Sequence, residues 1–264
     1  MKELLIFNFI LIGFAALGLW LAKKYIKTQR GKTVLLLAVS VFTILFHYST
    51  LLFKLITGGD AIGYLRDTRN LIMPIYPCNV VMWSALIFAL IRNKKSKAGE
   101  FFADYLFWFG VISTLVGMFA NVDFISNPTL TDYENVKSIG AHATLLFNVL
   151  LLPLFGYTGV NVKRNTKNIV IAIIMMAIIG LYCNMVFHAL VSYAEAYDVN
   201  SMFLIHSPFE GLDFLTYPII ALIGIPTYFA LFVICDTILR KRGERFIDKL
   251  KRSKKSANED ESLS

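Results

Sequence analysis

The chain has 264 residues, of which 56% are hydrophobic and only 17% charged. That is well under the quarter charged expected of a soluble domain, so a soluble fold is excluded. The formal net charge of +8 does not indicate a nucleic-acid partner, because the basic residues lie between apolar runs and form no single basic domain. Cys78, Cys183 and Cys235 are too few for a disulfide scaffold and lack zinc-site spacing, so neither a metal centre nor a cofactor is expected.

The first apolar run, 4–22, is followed by Lys23 and Lys24, the reverse of the charge order of a secretory signal peptide, and is read as a span. Six more runs follow, at 33–56, 71–91, 101–121, 139–160, 169–194 and 219–239. Each approaches the roughly 20 residues that cross a hydrocarbon core of about 30 Å. The expected architecture is an all-α, seven-transmembrane-helix bundle over 1–239. A basic tail follows over 240–264, ending in the acidic segment NEDESLS.

The segments KKYIKTQRGK (23–32), RNKKSK (92–97) and VKRNTK (162–167) are basic, and the alternate loops 57–70, 122–138 and 195–218 carry Asp and Glu. By the positive-inside rule the N-terminus is outside and the C-terminus cytoplasmic, in a multi-pass protein of the cell membrane. The tail RKRGERFIDKLKRSKK spaces Phe246, Ile247 and Leu250 for one helix face, which suits anionic lipids of the inner leaflet. The loop 198–218 is apolar for a loop and is expected to dip into the outer interface or to cover a cavity there.

With each span oriented, the titratable groups fall in the outer half. His47, Cys78 with Asn79, His142 and His188 come from four different spans, and such groups at membrane depth face a bundle interior or a watery cavity. Two stripes repeat at i, i+4, i+7 and i+11: Thr43, His47, Thr50, Lys54, and Asn184, His188, Val191, Glu195. Ending in opposite charges, they suggest an outward-opening cleft. Within MPIYPCNVVMW (73–83), Pro74 and Pro77 leave the carbonyls of Asn70 and Met73 without helical partners. A thiol there needs a base such as a histidine to become a nucleophile, and Asn79 is a candidate amide donor to a developing oxyanion.

Three stretches, IYPCN around Cys78, GAHATLLFNVLLLPLFG (140–156) and NSMFLIHSPFEGLDFLTYP (200–218), resemble the YwaF-like family of bacterial integral membrane proteins, related to an animal transmembrane acyltransferase of ether phospholipids. The resemblance implies that Cys78 and His142 form a catalytic pair handling fatty acyl groups of membrane lipids; Asn79, His47, Asn184, His188, Lys54 and Glu195, singled out by depth and by the two stripes, are the candidate supporting or substrate-binding groups. The other reading is a small-molecule transporter, or its substrate-binding subunit, using the two polar stripes and the proline-broken third span. No P-loop, dinucleotide fingerprint or GxSxG elbow is present.

Overall fold

The computed structural model describes residues 2–119, 129–190, 199–207, 211–250 and 252, and among these it is all-helical, with no strand. Helix α1 spans Lys2–Tyr25, α2 Gln29–His47, α3 Ser49–Thr57 and α4 Ala61–Asp67, followed by a 3-10 turn at Arg69–Leu71. Then come α5 Pro77–Leu90, α6 Lys97–Phe119, α7 Tyr133–Leu154, α8 Val162–Leu190 and α9 Tyr217–Leu239. Six of them (α1, α2, α6, α7, α8 and α9) are long and apolar enough to cross a membrane, and α5 is a shorter apolar helix of 14 residues. Glu195, Val191 and the acidic end of the tail lie outside the described residues.

Two predicted spans differ from the observed helices. The run 33–56 is not one helix: it breaks at Tyr48, which has φ −89° and ψ 4° and whose hydroxyl donates to the Leu71 carbonyl at 2.9 Å. The run 71–91 is not a kinked helix either. Pro77 stands in the first turn of α5, where a missing N–H leaves nothing unsatisfied, and the segment before it is non-helical. The fifth run also begins earlier than 139, because Asp132 caps α7 by accepting from the Glu134 N–H at 2.9 Å.

Helix α7 is the axis of the bundle, packing on α1, α2, α6 and α5, while α8 touches α6 and α9. Close approach is made possible by Gly110 of α6, where a Cβ would come within 3.0 Å of Val149 and 3.1 Å of Val81; small residues serve this purpose where lipid supplies no hydrophobic drive between helices. Polar links then fix the register. The Asn148 amide donates to the Ser40 hydroxyl at 2.8 Å. Fully buried Asp104 of α6 accepts from Arg164, Thr158 and Asn168 at 2.7–3.1 Å, tying α6 to the start of α8. At the far end of α5, buried Lys94 donates to the carbonyls of Phe88, Ala89 and Ile91 at 2.8–3.1 Å. These are the groups a helix C-terminus leaves open. The tail folds back onto α9, with Phe246 packed on Phe229 and its N–H bonded to Asp236 at 2.6 Å; Ile247 and Leu250 stay exposed.

Candidate functional site

The unwound stretch before α5 is held by its neighbours. The Asn70 carbonyl faces the His47 imidazole, the Met73 carbonyl accepts from the Ile75 N–H, and the Ile75 carbonyl accepts from the Met202 N–H, the last two at 2.8 Å. The backbone groups that the prolines set free are thereby satisfied, which is the condition for irregular backbone at membrane depth. Met202 and Phe203 adopt φ of 55°, a left-handed conformation that side chains other than glycine rarely take and that surrounding structure must enforce. Asn200 supplies part of that enforcement: its amide donates to the His206 carbonyl at 2.8 Å and accepts from the N–H groups of Ile205 and His206 at 3.0 and 3.1 Å. Met202 is fully buried against α8, where Gly180 leaves it room. Of the described part of this apolar loop, Val199, Ser201 and Met202 are buried in the bundle, while Leu212 and Phe214 are exposed.

Cys78 is the second residue of α5, half-buried, with its thiol beside the N–H groups of its own residue and of Asn79. Asn79 is buried and engaged. Its carbonyl oxygen accepts from the Tyr76 N–H at 3.3 Å, and its amide donates to His47 Nε2 at 3.4 Å. An amide nitrogen only donates, so His47 Nε2 is unprotonated in this pairing. One of the two N–H groups of the expected oxyanion donor is therefore committed to a histidine. On the other side, His142 Nδ1 lies 2.8 Å from the Ser138 carbonyl, which only accepts; the proton sits on Nδ1 and the Nε2 lone pair is left over. The ring lies flush on α6 at Gly117, where a Cβ would collide with it.

His47 and His142 are within electrostatic reach of each other. The structure thus joins Asn79 and His47 at the first turn of α5, with His142 within electrostatic reach of His47, and among the described residues neither imidazole is hydrogen-bonded to the Cys78 thiol. All three cysteines are free, so no Cys78–Cys183 bridge occupies the thiol.

Of the other candidates, Lys54 belongs to a cluster that adjoins this group through Lys137 and Glu134, both within electrostatic reach of His47. Lys54 lies over the Tyr64 ring at 5.4 Å, within a cluster that sequence reasoning missed. There buried Lys137 bonds to Glu134, to the Tyr64 hydroxyl at 2.7 Å and to the Thr50 hydroxyl at 3.3 Å, while Glu134 accepts from Thr50 at 2.6 Å. A signal existed, since Asp132 just before Glu134 and Lys137 marks a helix start; the segment passed for a loop because its charges outweighed its cap. Asn184 accepts from the Ser201 N–H at 2.9 Å and anchors the loop. His188 lines a groove between α8 and α9. The stripe of His47, Thr50 and Lys54 is interrupted at Tyr48 and so is not one continuous helical edge.

A family model covering residues 2–236 matches nearly the whole chain. The chain belongs to the TMEM164 family. No curated protein and no solved structure matches it. Membership of the TMEM164 family agrees with the six membrane-length helices in identifying a multi-pass membrane protein. It also covers every residue of the group around Cys78, including both histidines and Asn79.

Proposed function

We propose that this TMEM164-family protein is a membrane-embedded acyltransferase or lipid esterase that draws a fatty acyl chain from a phospholipid onto Cys78. The observation that supports it is the position of Cys78 in the first turn of a helix that starts inside the bundle, with the His47 imidazole of α2 bonded to Asn79 at that end and His142 of α7 within electrostatic reach of His47. A helix start offers its unpaired N–H groups and positive dipole end to an anionic sulfur. The likeness of IYPCN and GAHATLLFNVLLLPLFG to the YwaF-like proteins and their animal acyltransferase relatives points the same way.

In this reading the Cys78 sulfur attacks the ester carbonyl carbon and its proton passes to His142 Nε2. The tetrahedral intermediate then collapses, the C–O bond breaks, and the lysolipid alkoxide leaves with that proton. The acyl thioester on Cys78 is resolved by a lipid hydroxyl, or by water in an esterase, with His142 taking the incoming proton. His47 and Asn79 hold the turn, and the positive end of α5, in place of the Asn79 amide, faces the oxyanion. The overall frame of this proposal has α5 and its lead-in as a seventh crossing, the N-terminus outside, residues 1–239 as the catalytic domain, and the tail on the cytoplasmic face against anionic lipids of the cell membrane.

The test is direct. Purified protein is supplied with phospholipid carrying a labelled acyl chain, and the expected result is hydroxylamine-sensitive label on the wild type that disappears in Cys78→Ala. Absence of label on the wild type, with unchanged lipid composition in cells carrying Cys78→Ala, overturns the reading.

A further inference from the structure

On the side of α5 away from Cys78 lies a second feature. Residues three and four apart share a helix face, so Cys78 lies on the face of Met82, Ala85 and Ala89, which is buried in the bundle. Val80, Ser84 and Ile87 form the other face, and together with α6 and α8 they line a cavity of about 520 Å³, inside the roughly 300–1,000 Å³ range of small-molecule sites. Ile72, Trp83, Ile87 and Met175 at its rim are exposed, so on a membrane helix the cavity opens toward lipid.

No charged residue lines it. A phosphate or carboxylate headgroup therefore finds no counter-ion there, and burying one would be costly. Yet the wall is not wholly apolar. Tyr105 of α6 is 4% exposed, and its hydroxyl makes no hydrogen bond, the nearby Ser84 hydroxyl lying close without closing one. Buried polar groups are nearly always paired, and a ligand oxygen would complete what the Ser84 hydroxyl leaves open. An acyl tail alone would fill the space without satisfying that donor, and it would gain nothing over the surrounding lipid.

We propose that this cavity between α5, α6 and α8 is a lipid-binding site on the face of α5 opposite the thiol, for a neutral chain carrying one oxygen acceptor, a fatty alcohol or acyl ester, whose oxygen accepts the Tyr105 hydroxyl. The site needs no chemistry at Cys78 and stands or falls apart from the transferase reading. The experiment uses full-length Cys78→Ala protein in phosphatidylglycerol nanodiscs, titrated with a photoreactive long-chain alcohol and with the matched alkane. Crosslinks are mapped by mass spectrometry. The expected result is labelling at the α5, α6 and α8 lining with the alcohol bound more tightly than the alkane; Tyr105→Phe removes that preference, a loss of about two- to tenfold for one net hydrogen bond, and leaves the alkane unchanged. Ile87→Trp, a lipid-facing change at the rim, blocks both probes. Equal binding of alcohol and alkane by the Tyr105 protein, crosslinks outside the lining, or undiminished labelling of Ile87→Trp overturns the proposal, the first of these indicating lipid fill alone.

Discussion

Gly117 and His142 show how one missing carbon sets the placement of a proposed base. The imidazole rests where a Cβ would stand and is fixed at its other edge by the Ser138 carbonyl. Gly117→Ala is expected to push the ring off this position and, because a misplacement of about 1 Å can cost on the order of a hundredfold, to cut thioester formation at Cys78 by that order. The check is label incorporation measured beside thermal melting, which separates displacement from unfolding. Asn79→Ala removes the acceptor for the Tyr76 N–H and the donor to His47; a cost of about 1–2 kcal/mol is expected, read as a lowered unfolding midpoint. The sequence located Cys78, Asn79, His47 and His142 and assigned them to one level. It did not reveal that Asn79 spends its amide on His47, because hydrogen-bond direction depends on rotation about helix axes, which periodicity leaves free.

Among the elements, α5 depends most on what lies at its two ends. Its start is braced by Tyr48, His47 and the 199–207 loop, and its last turn is closed by Lys94. Lys94→Met is expected to destabilise the protein by about 1–3 kcal/mol through the uncapped carbonyls. Asp104→Ala should cost more, on the order of 3 kcal/mol, since it removes the acceptor shared by two buried polar side chains and by the Arg164 guanidinium, which keeps its looser 3.6 Å pairing with Glu100. Equal losses in chemical unfolding of the two variants would contradict this ranking. Neither residue was legible as structural. Lys94 reads as one more topology charge within RNKKSK, and Asp104 as a lone acid in FFADYLF. The break in the third span was half legible: Pro74 and Pro77 announced an irregular backbone, but a kinked helix and a helix that begins at Pro77 carry the same prolines.

For the molecule as a whole, the apolar runs gave the helices and the charged loops an orientation. Reporter fusions after Lys27, Lys95 and Lys163 are expected on the cytoplasmic side and those after Asp60 and Thr131 outside; any fusion on the wrong side removes the seven-crossing frame. The stretch 57–70, written off as a loop, instead carries α4 and the Tyr64 contact to Lys137, because a seven-residue helix is too short for a hydropathy window to register.

The length of α5 also bears on biogenesis. Its 14 residues extend about 21 Å at 1.5 Å per residue, short of the roughly 30 Å of a bilayer core. While the chain is being made, α5 has no means of settling alone; the partners it packs on are α2, already synthesised, and α6 and α7, still to come. Newly made chains truncated before Lys97 would leave the cysteine helix with α2 alone, exposed to quality-control proteases, and committed to the membrane only once α6 emerges from the ribosome.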